Sequence, residues 1–300
     1  MSLVEKALKK LQDASREQGQ VGAPSLARGS AAVAMKPVQA FDVTVHQEPL
    51  PPARTVTINM ARLRAAGLLP PEDQERHIAQ QYRQIKRPLI AAATGRGANR
   101  LPKGNVIVIA SAMPGEGKTF TCLNLALSLA LEKDLRVLLV DADLAKPNIG
   151  RELGIAEEPG LLDLLRDPKL DAERFVMPTD VPRLSVLSAG TTSEDATELL
   201  ASARMEEVVR ALGGADGERI VLFDSPPLLL TTESRTLAQS AGQVVVVVCA
   251  GVTSQDVLTA ALSYIAEGPA LSLVLNQSTF EPSKEYYYYG SVEGRETENG

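Results

Sequence analysis

The chain has 300 residues, 44% of them hydrophobic, enough to bury a large core in one sizeable domain with extensions. A net charge of −6 and a pI near 5.2 give it no general attraction for nucleic acid or anionic lipid. Two histidines and two distant cysteines, Cys122 and Cys249, leave almost no material for a zinc cluster or a histidine-based triad, and suit a reducing compartment.

At the N-terminus, Leu3-Val4 runs at once into Glu5-Lys6, so no signal peptide is expected. The most apolar run, Val244 to Ala250, falls far short of the ~18–20 residues that cross a bilayer. The expectation is a cytoplasmic chain that reaches the inner face of the membrane only through a partner. Residues 1–18 carry Leu3, Val4, Ala7, Leu8, Leu11 and Ala14 at helical spacing, with Ser2 and Glu5 as a capping box. So short a helix is marginal alone; it is either a docking element that orders on a partner or a frayed end. Residues 19–53, rich in Ala, Gly, Pro and Gln, read as a disordered linker.

A lead-in over 54–90 follows. Thr55–Asn59 alternates like a strand, Ala61–Leu69 is helical up to Pro70-Pro71, and a charged helix over Glu72–Arg87 ends at Pro88. Residues 91–280 then form the main domain. Its strands are Val106–Ala110, Arg136–Val140, Leu184–Leu187, Ile220–Phe223, Val244–Cys249 and Leu271–Leu275, apolar throughout, as strands covered on both faces are. Helical patterns over Thr119–Leu131, Thr197–Leu212 and Ser254–Ile265 separate several of them. The fold class is α/β, a mostly parallel sheet flanked by helices, with residues 281–300 as a flexible tail.

Directly after the first strand stands Ala112-Met113-Pro114-Gly115-Glu116-Gly117-Lys118-Thr119, and a helix follows through Phe120. This is a phosphate-binding loop, with Ala where the first Gly is more usual. Gly115 and Gly117 let backbone amides and the helix N-terminus face the phosphates; Lys118 reaches the β- and γ-phosphates, and the Thr119 hydroxyl binds Mg²⁺. Two apolar strands end in acids beside it: Val137–Val140 runs into Asp141-Ala142-Asp143, and Ile220–Phe223 into Asp224-Ser225-Pro226-Pro227. Carboxylates at strand ends point at a bound metal. Asp143 also suits a turn-forming role.

These three motifs, in this order, resemble those of the bacterial protein tyrosine kinases, built on a P-loop NTPase core. The run Tyr286-Tyr287-Tyr288-Tyr289, four of the six tyrosines, matches that family's C-terminal tyrosine cluster. Residues 1–11, Tyr82 to Leu89 and Glu198 to Ser202 are similar to the cytoplasmic exosortase-associated tyrosine autokinases of exopolysaccharide systems. The resemblance implies ATP and Mg²⁺ as cofactors, with Lys118, Asp141, Asp143 and Asp224 as catalytic residues. Residues Pro114 to Phe120 and Asn276 would bind the nucleotide, Thr119, Asp141 and Asp224 the metal, and Asp141 would also accept the tyrosine proton. Tyr286–Tyr289 of a neighbouring subunit would be the acceptors. It implies a membrane activator of the chain-length-regulator type, a homo-oligomer and a cognate tyrosine phosphatase. Two positions depart from the family pattern. Ala145, followed by Lys146, stands where Arg is common, and the oligomer motif Glu-x-x-Arg-x-x-Arg becomes Gln80, Arg83 and Lys86. The rival readings are a partition-type ATPase switch, whose extra lysine near Ala112-Met113-Pro114 is missing here, and a nucleotide-binding scaffold of an export complex.

Overall fold

A computed structural model of the chain describes residues 54–95, 100–144, 146–191, 193–214, 219–265 and 268–278. The proposed docking helix, the linker, Ala145 and the tyrosine run lie outside the described residues.

Seven strands among the described residues form one sheet: β1 (Val106–Ser111), β2 (Arg136–Asp141), β3 (Met177–Pro178), β4 (Leu184–Leu187), β5 (Arg219–Asp224), β6 (Gln243–Cys249) and β7 (Ala270–Asn276). Their spatial order is β3-β4-β2-β5-β1-β6-β7. Every pairing is parallel except that of β3 with β4. The six anticipated strands all form, and the two-residue β3 is added at one edge. All six residues of β1 are buried, because alternate side chains enter two separate cores. Val108, Val140, Phe223 and Val246 pack on one face; Ile109, Leu139, Leu222 and Val247 pack on the other.

The lead-in belongs to the second of these cores. Val56, Ile58, Leu63, Leu69, Tyr82 and Leu89 are buried in it with β1 and β2. The stretch anticipated as a strand over 55–59 reduces to one bridge, Val56 against Thr179, backed by the Ile58 N–H on Asp180 Oδ1 at 2.9 Å. Helix α1 (Met60–Ala65) follows, capped by Asn59, whose Oδ1 accepts from the Arg62 N–H at 2.9 Å. Helix α2 (Glu75–Thr94) does not stop at Pro88 but runs through it to a left-handed Gly95. An interior proline costs about 3 kcal/mol. Here Leu89 and Ala93, just beyond it, are fully buried against the sheet and hold the last turns in place.

Lys86 on the same helix is buried. Its Nζ donates to the Ser128 carbonyl at 2.7 Å and pairs with Glu132 at 2.7 Å. Of the three positions aligned with the oligomer motif, Lys86 therefore spends its charge inside the chain, while Gln80 and Arg83 are exposed.

Helix α3 (Lys118–Ala130) follows β1 and packs against α2. After β2 come α4 (Asn148–Leu153), α5 (Leu161–Arg166) and a 3₁₀ turn at Ala172–Phe175. The single helix anticipated over 197–212 is two, α6 (Ala196–Leu200) and α7 (Ala203–Gly213). They separate at Ala201-Ser202, where Ser202 is extended and its hydroxyl folds back onto the Leu199 carbonyl at 2.6 Å. Helix α8 (Thr232–Ser240) is capped by Thr231, and α9 (Gln255–Leu262) by Ser254. Among the described residues, no helix is long and apolar enough to cross a membrane.

Candidate active site

Parallel order places the C-terminal ends of β1, β2, β5, β6 and β7 along one rim, where an open α/β sheet binds its ligands. The loop between β1 and α3 crosses that rim. Gly115 and Gly117 take φ of +81° and +93°, a left-handed conformation that side chains rarely adopt. At Gly117 space is also closed: a Cβ there would lie 2.0 Å from Asn276 Nδ2. These two turns deliver the chain into the start of α3, with Lys118 and Thr119 in its first turn. The unpaired amides of that turn and the helix dipole favour an anion.

The loop is pinned from beneath by Glu116, which is almost fully buried. Its Oε2 accepts the Met113 N–H at 2.8 Å, and its Oε1 accepts the Thr253 hydroxyl. Thr253 in turn accepts the Cys249 N–H at 3.1 Å, tying the loop to the end of β6. From β7, Asn276 Nδ2 donates to the Glu116 carbonyl at 3.0 Å and Gln277 Nε2 to the Gly115 carbonyl at 3.4 Å. Glu116 thus turns its carboxylate away from the ligand side. Of the anticipated nucleotide contacts, Pro114, Gly115, Gly117, Lys118, Thr119, Phe120 and Asn276 line the cleft above the loop; Glu116 does not.

That cleft has a volume of about 700 Å³, the size of a nucleotide-class ligand site. Sequence reasoning missed part of its wall. Gly67 and Leu68 come from the lead-in, Leu230 and Thr231 from the loop after Asp224, and Gln277 from the end of β7. Nothing in the local pattern at Gly67-Leu68 marks them. They arrive because Leu63 and Leu69 anchor the lead-in to the core and Asn124 Nδ2 holds the Leu68 carbonyl at 2.9 Å.

Three acids meet below and beside Lys118. Asp141 and Asp224 stand in register at the ends of the neighbouring strands β2 and β5, both without solvent exposure. Asp141 Oδ2 accepts the Gly150 N–H from α4 at 2.8 Å, while its Oδ1 and both Asp224 oxygens have no hydrogen-bond partner. Burial and the proximity of Asp224 push the Asp141 carboxyl up to about 8. Burial likewise raises Asp224 to about 7, with the nearby Thr119 hydroxyl and Lys118 ammonium opposing the rise. Unpartnered buried carboxylate oxygens are costly unless something positive meets them. Among the described residues, no group of three His, Cys, Asp or Glu converges as a self-sufficient metal cage. This donor set, Thr119 plus two under-satisfied carboxylates beside a phosphate loop, fits Mg²⁺, which keeps few protein ligands and completes its shell with water and phosphate.

Asp143 behaves differently. It lines the cleft and its Oδ1 accepts the Lys146 N–H at 3.1 Å, so the turn-forming reading holds together with a position facing the ligand. Of the three acids, Asp143 is the one on the cleft wall; Asp141 and Asp224 lie beneath it.

Comparison with known proteins agrees with this geometry. A family model described as ParA, the NUBPL iron-transfer P-loop NTPases, matches residues 103–298. The tyrosine-protein kinase YwqD of Bacillus subtilis (strain 168) is 31% identical over 215 residues, covering 71% of this chain and 86% of that protein. The putative tyrosine-protein kinase EpsB of Ralstonia nicotianae is 37% identical over 143 residues, 48% of this chain but only 18% of EpsB. Among solved structures, the VpsO kinase domain aligns with a TM-score of 0.56 at 28% identity, over 69% of this chain and all of that domain.

Proposed function

The chain belongs to the bacterial tyrosine-protein kinases, built on a P-loop NTPase core, and we propose that it autophosphorylates Tyr286–Tyr289 in trans. The observation that carries this reading is the pairing of a complete phosphate loop with two buried, under-satisfied carboxylates directly below it. When bound, Mg-ATP supplies the phosphoryl group. Thr119, Asp141 and Asp224 would hold the metal, whose charge would return both carboxyls to their ionised form. Lys118 and the loop amides would bind the phosphate oxygens and stabilise the charge that builds on them, which is most of what a protein contributes to phosphoryl transfer. The proton of the attacking tyrosine needs an acceptor facing the cleft. Asp143, 9% exposed and on the cleft wall, meets that condition more closely than Asp141, which has no exposed surface, so we propose Asp143 for this role beside the expected Asp141.

A membrane protein of the chain-length-regulator type would recruit and activate the chain, with residues 1–18 as the docking element. Association of several copies would present one subunit's tail to the next, and a cognate phosphatase would reset it. Control of exopolysaccharide production is the process this would serve.

Mixing a Lys118→Ala chain, tail intact, with an active chain cut after residue 280 tests the trans assignment. Phosphate on the Lys118→Ala tail supports it. A clean tail there, with the uncut active chain phosphorylating itself, means that transfer is intramolecular.

A further inference from the structure

Among the described residues, β7 stands at one edge of the sheet. No described strand pairs with the outer side of β7. Its sequence, Ala-Leu-Ser-Leu-Val-Leu-Asn, contains no lysine, no proline and no charge, the devices that normally keep an edge from recruiting another strand. Both faces beside that edge are apolar. On one, Leu271, Leu273 and Leu275 are 40%, 44% and 63% exposed, prolonging the core face of β6, on which α9 packs through Val257, Leu258 and Ala261 without burying these three leucines. On the other, β7 and α2 enclose a recess of about 290 Å³ against Ile85, Pro88 and Leu89. An uncharged edge flanked by two apolar seats is built to take one more strand.

The geometry points to the chain's own tyrosine run as that strand: residues 285–291 add antiparallel to β7, with alternate tyrosine rings on the leucine face and in the recess beside Pro88. Three observations select this occupant. The tail begins where β7 ends, and Gln277, the first residue past the strand, has a φ of +57°, so the chain turns sharply there. Residues 277–284, including Pro282, then serve as a hairpin connection, whose closure costs only modestly more than that of a shorter loop. A tethered segment is also present at an effective concentration of about millimolar, which a second copy in dilute solution does not match. Finally, four consecutive tyrosines favour extended backbone and point alternately to opposite faces, which is what an edge with apolar seats on both sides requires.

Seated there, the rings are held away from the cleft. Phosphorylation would place roughly −1.5 to −2 charges per tyrosine against apolar side chains and expel the strand. This release step rests on the proposed role of the tyrosines as acceptors; the docking itself does not, and it is measurable without nucleotide.

The test is amide hydrogen exchange on the phosphatase-treated full chain, free of nucleotide, beside a chain cut after residue 280 and a full chain carrying Leu273→Lys. Docking predicts protection at both 270–276 and 285–291, with exchange at 270–276 roughly tenfold faster in the cut chain and in Leu273→Lys. The cut chain disturbs nothing in the strand itself, so a folding defect of Leu273→Lys does not blur the result. Unchanged exchange at 270–276 after the cut overturns the proposal. So does protection that survives the cut and rises with protein concentration, which would mean pairing between copies.

Discussion

Replacing Asp224 with asparagine stabilises the metal-free protein at alkaline pH while removing its activity. The carboxyl sits at the end of β5 with neither oxygen hydrogen-bonded, and burial lifts it from the usual 3.8 to about 7. Asp141 opposite is lifted to about 8 by burial and by Asp224 itself. In the folded chain both groups keep their protons at pH values where the unfolded chain has lost them. Stability is therefore fully present near pH 4 and is lost as the pH rises through 7 and 8. For Asp224 alone the displacement corresponds to about 4 kcal/mol at pH 8, an upper bound once water and side chains adjust. About half of this, ~2 kcal/mol, is lost between pH 5.5 and pH 8, so at about 2–4 °C per kcal/mol for a domain of this size Asp224 alone should make the metal-free wild type melt about 4–8 °C lower at pH 8 than at pH 5.5. Asp224→Asn presents a neutral group of the same shape and leaves the burial of Asp141 in place, so its melting temperature should fall less over that range, by the share Asp224 contributes, and exceed the wild type at pH 8. Mg-ADP should raise the melting temperature of the wild type at pH 8 more than that of the variant, which keeps Lys118, Thr119 and the loop amides but loses one metal ligand. Differential scanning calorimetry in chelator, then with Mg-ADP, measures all of this. A wild type whose melting temperature falls no more than the variant's would refute the argument that burial of the Asp224 carboxyl outweighs the opposing Thr119 hydroxyl and Lys118 ammonium.

Other substitutions probe the loop. Gly117→Ala meets the Asn276 side chain and a φ of +93°, so it should cost about 1–3 kcal/mol in unfolding free energy and abolish nucleotide binding measured by calorimetry. Thr253→Val leaves a buried Glu116 oxygen without its partner, which should lower stability by about 1–3 kcal/mol and raise the KM for ATP more than it lowers kcat. Lys118→Ala should reduce phosphoryl transfer at least about a hundredfold with the fold intact, read from initial rates and circular dichroism.

Much of this molecule was legible in its sequence, and the gaps have physical causes. Continuous apolar runs such as Val106–Ala110 announced buried parallel strands because both faces of the sheet are covered. The phosphate loop was readable because its glycines and lysine do their work within a few residues of one another. Gly67, Leu68 and Thr253 were not readable, since they reach the site through long-range packing that no local pattern encodes. Helix α2 passed through Pro88 because tertiary burial of Leu89 and Ala93 outweighed a local rule. The division of labour among the acids was also hidden. Sequence order makes Asp141 and Asp143 neighbours; both are buried, but Asp143 keeps 9% exposure on the cleft wall and Asp141 keeps none.

Incubating the purified chain with Mg-ATP and mapping phosphate by mass spectrometry, with Lys118→Ala alongside, tests the kinase activity most directly. Phosphate confined to Tyr286–Tyr289 and absent from the variant is the predicted result. Hydrolysis of ATP with no phosphotyrosine, even with a membrane activator present, would contradict it and leave a nucleotide-driven switch in its place.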